Sequence, residues 1–409
     1  MKTQGYDPNM NNITSLAIVV SLAAASAATL FAAAPAAPPA GAGPTTTAPA
    51  TATAPGRRGG AGRGAPGGAG RGAQGPAMKA PVPNTLPGLL GKPIKWKSTA
   101  PLVVPVDDAT HKLHSIKDPT LAFVDGQWEI YATAHMDSPL SRNTFNMIHV
   151  SFKDWADAPK APLFYMDSNP NFTGYKCAPE MFYFTPQKKW YLTFQTQPPV
   201  YCTSDTPHDP NSWTKPQPFF PGNTQPVGGQ WIDFHFIGDG EYMYMFFTGD
   251  NGNFCRARTK YEDFPKGFSA PEIVFTGNRN TIFEAGFTYK IKGADKGYQY
   301  LTCVEGLGNG RFYSAYVAEK LDGEWFPVEG FNTADHPFAG KVNMSFEDGV
   351  TPWSSQVSHG EMIRDANNER MELDPNNLQF LYQGISDADN RGDYGALKYK
   401  VGLLRAVKE

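Results

Sequence analysis

Five stretches of the chain share one pattern. In each, two short runs of apolar, aromatic and β-branched residues flank a tight turn rich in Gly, Asp, Asn or Lys. The stretches begin at Leu121 (LAFVDGQWEIYATAH), Met181 (MFYFTPQKKWYLTFQT), His235 (HFIGDGEYMYMFFTGD), Thr288 (TYKIKGADKGYQYLTCVEG) and Glu361 (EMIRDANNERMELDPNNLQFLYQG). Two runs of strand-forming residues around a polar turn predict a hairpin. A further short strand follows each hairpin, at residues 146–152, 200–205, 253–259, 311–320 and 398–407. Helical periodicity of useful length is missing from this part of the chain.

The five units start 60, 54, 53 and 73 residues apart. A repeat of about fifty residues, each a small antiparallel sheet, points to a β-propeller. The fold class expected is therefore all-β, with five blades. A β-sandwich with irregular loops would use the same strands but gives no reason for the unit to recur. A propeller distributes its core between blades, so about 320 residues can form one domain.

Composition divides the 409 residues unevenly. Residues 13–34 are apolar and Ala-rich, preceded by Lys2 and Asp7, and Ala32, Ala34 and Ala36 offer small residues for cleavage. This pattern reads as a secretory signal peptide over residues 1–34. An uncleaved membrane anchor is the competing reading, because the stretch is just long enough to span a bilayer. No Cys follows the apolar run to accept a lipid. Residues 35–87 are rich in Ala, Pro, Gly and Thr with Arg-Gly repeats, and such a segment buries too little apolar surface to offset its ordering entropy. A disordered linker is expected there, with the propeller occupying 88–409. The first 106 residues hold nine of the 36 basic residues and one of the 39 acidic ones, which leaves 27 basic and 38 acidic beyond them, a net charge of −11. Nucleic acid is excluded as a partner of the main body, since phosphate binding needs a basic face.

In a propeller the innermost strand of every blade lines the axis, so residues just ahead of those strands converge at one end. Here they are Asp118 (IKDPT), Glu180 (APEMF), Asp233 (WIDFH), Glu284 (FEAGF) and His359 (SHGEM). Each alone is a weak signal, because Asp before Pro-Thr commonly caps a turn and a lone His is commonly structural. Recurrence at one place in the unit is what gives them weight. Four carboxylates crowded into a poorly solvated space cost stability unless they serve acid/base chemistry or ion binding. A pair of carboxylates in opposite protonation states is the equipment of glycoside hydrolysis, and a third beside the acid keeps it protonated. The chain has no G-x-S-x-G elbow, P-loop or H-E-x-x-H motif. Its cysteines, Cys177, Cys202, Cys255 and Cys303, lack the C-x-x-C spacing of a zinc site.

Residues 95–404 resemble glycoside hydrolase family 62, secreted α-L-arabinofuranosidases acting on arabinoxylan. The resemblance rests on KWKSTAPLVVPVDDATHKLHSIKDPT, GYKCAPEMFYFTPQKKWYLTFQT, WIDFHFIGDGEYMYMFFTGDNGNFCRART, FEAGFTYK, SHGEMIR, LQFLYQG and DYGALKYKVGLL taken together. It implies a five-bladed propeller, with Asp118 as general base, Asp233 as the residue that modulates the acid's pKa, and Glu284 as general acid of an inverting single displacement. It also implies that Lys117 and Tyr394 line the sugar pocket. His359 is expected beside a structural calcium ion on the axis, with no cofactor for catalysis. The chain departs from the family at Gly395, where Asn is usual, at His235, where Trp is usual, and at Gly286–Phe287, where a Ser-Asn pair is usual. These changes bear on substrate preference and leave the three carboxylates in place.

The expectation is thus a secreted, monomeric enzyme acting on arabinoxylan or arabinoxylo-oligosaccharides, with no membrane attachment in the mature form. A family-43-like xylosidase or arabinanase on the same fold is the nearest alternative. A non-catalytic carbohydrate-binding propeller is another, though a lectin gains little from holding buried acids.

Overall fold

The computed structural model describes residues 75–408 except Asn223, Gly228 and Asp393. The expected signal peptide and most of the expected linker lie outside these residues. The described chain forms five sheets and only single turns of 3-10 helix.

Each sheet is one blade, built outward from an innermost strand. Blade one runs through Lys112–Val124, Gln127–Asp137, Thr144–Phe152 and Phe164–Tyr165. Blade two comprises Cys177–Phe184, Lys189–Gln195, Val200–Ser204 and Gln217–Pro218, and blade three Ile232–Gly238, Tyr242–Thr248, Asn253–Lys260 and Glu272–Thr276. Blade four consists of Phe287–Ile291, Tyr300–Gly308, Gly310–Ala318 and Phe326–Pro327. Blade five starts at Ser358–Met362 and continues through Gln379–Gly384 and Lys400–Ala406. It is completed by Trp96–Ser98, antiparallel to Lys400–Ala406, and by Met344–Phe346, so the two ends of the propeller share one sheet. Every hairpin expected from the sequence supplies the two inner strands of a blade.

The outermost strands of blades one, two and four have two residues each, too short to leave a periodic signal. Another unforeseen pairing comes from the fifth hairpin, whose Glu372–Leu373 crosses to lie parallel to Lys290–Ile291 of blade four. Between blades the core is aromatic. Phe182, Phe219, Phe236 and Phe264 interleave blades two and three, and Phe287, Tyr313 and Phe380 do so for blades four and five. The four cysteines are buried.

The sequence places the end of the linker at residue 87, but the chain lies on the propeller from Gly75 onward. Met78 N donates to Thr276 O at 3.0 Å, and Val82 N donates to Pro327 O at 2.8 Å. Leu86 and Leu90 are buried. This strap covers the exposed edges of blades three and four, which would otherwise present unpaired backbone groups. Averaged composition hides it, because four spaced apolar residues suffice to anchor a segment that is otherwise Pro- and Gly-rich.

Candidate active site

Four of the five innermost strands carry a bulge ahead of the hairpin. Pairing with the second strand slips between Lys117 and Thr120, between Cys177 and Glu180, between Ile232 and His235, and between Ser358 and Gly360. At three of these bulges, and at Ala285 just before the innermost strand of blade four, a non-Gly residue takes the left-handed conformation: Asp118 (φ 48°), Ala178 (φ 47°), Asp233 (φ 50°) and Ala285 (φ 49°). That conformation costs an L-residue roughly 1–2 kcal/mol. Bulges beside active sites commonly re-aim a side chain. These left-handed residues are tied to the preceding blade: Asp118 N donates to Gln383 Oε1 at 2.7 Å, Ala178 N to Thr133 Oγ1 at 2.8 Å, and Ala285 N to Asp233 Oδ2 at 2.9 Å.

Two rings of side chains result. The upper one is formed by Asp118, Ala178, Asp233, Ala285 and His359, with Glu284 just before Ala285. Two residues further along each strand come Thr120, Glu180, His235, Phe287 and Glu361. These enclose a cavity of about 20 Å³ on the axis, also bordered by Asp233 and His359.

His359 joins two of the expected catalytic carboxylates. Its Nδ1 lies 3.2 Å from Asp118 Oδ1 and 3.4 Å from Asp233 Oδ2. Burial disfavours the imidazolium, but Asp233 and Asp118 together hold its pKa well above the ordinary histidine value. For Asp118 burial works toward protonation and loses: the charge and hydrogen bond of His359, the charge of Lys117 and a hydrogen bond from Thr133 hold its carboxyl well below the usual range. Lys117 donates to Tyr394 Oη and lies 4.0 Å from that ring's centre. Burial opposes its charge, yet Tyr394, Asp118 and Tyr399 keep its pKa raised. The expected sugar-pocket pair therefore stands beside the expected base.

Glu284 is 7% exposed. Its Oε2 lies 3.5 Å from Arg311 Nη1, which also bonds the fully buried Glu305 at 3.0 Å. The backbone is fixed from both sides, with Glu305 N donating to Glu284 O and Phe283 N donating to Glu305 O. Neither Arg311 nor Glu305 stands out in the sequence pattern. Arg311 opens the apolar run RFYSAYVAEK, a placement for a cation that signals a buried partner.

Glu180 does not join this group. It belongs to the lower ring, where both carboxylate oxygens accept from Phe236 N and Oε1 lies 3.4 Å from His235 Nε2. Burial and the neighbouring Glu361 push its pKa well above the carboxylate range. Glu361 is paired with Arg364 at 2.9 Å and accepts from Thr120 Oγ1. His235 and Phe287, two of the departures from the family pattern, also sit in the lower ring. At Gly395 a Cβ would lie 3.2 Å from Asn143 Oδ1 and 3.3 Å from His135 Cε1, so a larger residue there needs these side chains to shift slightly.

The residues present do not fit a calcium ion held directly by His359. Among the described residues no three His, Cys, Asp or Glu are grouped to hold a metal. Calcium takes six to eight oxygen ligands, and His359 offers only ring nitrogens.

The chain is 36% identical over 324 residues to α-L-arabinofuranosidase C of Cellvibrio japonicus, covering 78% of this chain and 48% of that protein. It thus spans about half the length of that curated relative. The catalytic domain of a Coprinopsis cinerea GH62 α-L-arabinofuranosidase superposes with a TM-score of 0.70 at 33% identity, covering 77% of this chain and 97% of that one. The Podospora anserina α-L-arabinofuranosidase PaAbf62A, solved with cellotriose, gives a TM-score of 0.70 at 35% identity, again covering 77% and 97%. Residues 95–405 match the profile of glycosyl hydrolase family 62, and the chain belongs to that family.

Proposed function

We propose that this protein is an exported α-L-arabinofuranosidase that removes single arabinofuranosyl branches from arabinoxylan with inversion. The observation that carries the reading is the gathering of Asp118 and Asp233 around His359, with Asp233 bonded to the peptide that follows Glu284. Asp118, ionised to low pH, takes a proton from water as the water oxygen bonds to the anomeric carbon. The glycosidic C–O bond breaks in the same step, and its oxygen takes the proton of Glu284. Asp233 disfavours a second negative charge nearby and so keeps that proton in place until transfer. Lys117 and Tyr394 bind the sugar beside the base. Every step uses side chains of this chain alone.

The test is to incubate the protein with arabinoxylan, debranched arabinan and linear xylo-oligosaccharides. Free arabinose from arabinoxylan alone is the expected result. Release of xylose, or shortening of arabinan, would assign a different glycosidase activity. Export is tested separately by the N-terminus of the secreted protein, which should fall between about residues 28 and 40.

A further inference from the structure

Asp118 is held by its peptide as well as by its carboxylate. Strand pairing in blade one passes from Lys117 to Thr120, so neither Asp118 nor Pro119 has a partner on Gln127–Asp137. Proline has no N–H, which leaves the Asp118 N–H as the donor that the bulge removes from the ladder. Gln383 Oε1 accepts it at 2.7 Å. Gln383 belongs to Gln379–Gly384, the second strand of blade five, and is 1% exposed. Its amide nitrogen donates to Ser358 Oγ at 2.8 Å, and the buried Ser358 directly precedes His359. One amide therefore joins the peptide of Asp118 to the strand that carries His359.

The matching ties in blades two and three lack this second connection. Thr133 Oγ1 accepts from Ala178 N, but the Ala178 methyl carries no chemistry. Gln195 Oε1 lies 3.4 Å from Asp233 N, and its amide nitrogen turns outward to the exposed Tyr175, whose Oη is 3.0 Å away.

We infer that Gln383 is a positioning residue for the displacement, fixing the Asp118 carboxylate against His359 and toward the attacking water. The inference rests on the reading of Asp118 as general base and deepens it. A left-handed residue at φ 48° is sterically disfavoured, so its conformation depends on what holds the peptide from outside. Rotation of that peptide swings Cβ and with it the carboxylate, whose Oδ1 lies 3.2 Å from His359 Nδ1. The amide suits both anchors, because its oxygen accepts and its nitrogen donates. Buried beneath the site, Gln383 acts through Asp118 and not on the sugar. Its loss should therefore impair the activation of water while the sugar still binds.

Two variants test this. Gln383→Met keeps the length of the side chain and removes the amide, and Ser358→Ala leaves Oε1 its partner but frees the amide nitrogen. Both are assayed on arabinoxylan and on 4-nitrophenyl α-L-arabinofuranoside, and their melting temperatures are recorded. Expected is a fall in kcat of roughly ten- to hundredfold for Gln383→Met and a smaller fall for Ser358→Ala, with KM within about twofold of wild type. The loss should be similar on both substrates, because water must be activated whichever group leaves. A folded Gln383→Met with unchanged kcat, or with its loss confined to KM, would make the amide a structural bond only and overturn the inference. Where Gln383→Met does not fold, Ser358→Ala decides: a lowered kcat supports the positioning role and an unchanged one overturns it. Asp118→Asn tests the underlying reading separately. If it keeps wild-type kcat, the base assignment fails and the positioning role with it. If it is inactive while both other variants match wild type, the positioning role alone fails. A wild type that releases arabinose from neither substrate removes both.

Discussion

Asp233 Oδ2 accepts the backbone N–H of Ala285 at 2.9 Å, so the carboxylate is anchored to the peptide directly after Glu284. The proposed role of this residue is electrostatic as well as positional, and a single substitution separates the two. In Asp233→Asn an amide oxygen can still accept that N–H while the negative charge is gone. The basic limb of the kcat/KM profile, which reports loss of the acid's proton, should then move toward acid by roughly one pH unit. Activity should suffer least at the acidic end. A loss uniform in pH, with the limb unmoved, would leave Asp233 a positioning residue only.

His359→Asn should shift the other limb. Asp118 owes its depressed pKa, against burial, first to His359 and then to Lys117 and Thr133. A depressed carboxylate stays ionised as pH falls, so the acidic limb of the wild type lies below the ordinary carboxylate range. Without the imidazolium, burial gains weight and the limb should rise by about one pH unit or more. Stability follows the opposite edge. The His359 pKa is raised, so its contribution is complete below about pH 6.5 and is lost as pH climbs through the raised value. Thermal melts should show an alkaline decline in the wild type that the variant lacks. An unchanged acidic limb would argue against coupling to Asp118.

Arg311 neutralises Glu305, which has no exposure to solvent, and reaches Glu284 as well. Arg311→Met should cost about 3–5 kcal/mol, because it leaves a buried charge uncompensated. Adding Glu305→Gln should restore most of the stability but not the activity. Urea denaturation of the two proteins checks this, and a double variant no more stable than the single one would contradict it.

What could be read from the sequence follows from recurrence. Asp118, Asp233, Glu284 and His359 stand out because each lies just ahead of a hairpin at the same place in the unit, and the unit repeats five times. Glu180 shares that position in the repeat, but sequence shows where a strand opens and not where its register slips. The bulge places Ala178 level with Asp118 and Asp233 and sends Glu180 two residues down the axis. Arg311 and Glu305 escape a sequence reading for a different reason. Glu305 and Arg311 meet across one hairpin, but their link to Glu284 joins that hairpin to the segment before the innermost strand, and no local pattern records it.

The strap over blades three and four makes a stability prediction. Removing residues 1–74 should leave the melting temperature nearly unchanged, whereas removing residues 1–91 should lower it by roughly 5 °C or more. Leu86 and Leu90 would lose burial worth about 1.5–3 kcal/mol each, and two blade edges would be uncovered. Equal melting of the two truncated proteins would show that the strap adds nothing to the propeller.

The central claim is that Glu284 and Asp118 act in one displacement, as acid on the leaving oxygen and base on the attacking water. Proton NMR of the sugar first released from arabinoxylan tests it most directly. Attack from the face opposite the leaving group converts the α-linkage into β-L-arabinofuranose, so the β-anomer signal should appear first and the α-anomer later, as the free sugar mutarotates. If the α-anomer appears first, the reaction retains configuration and passes through a second displacement, and Asp118 and Glu284 do not act as base and acid of a single step.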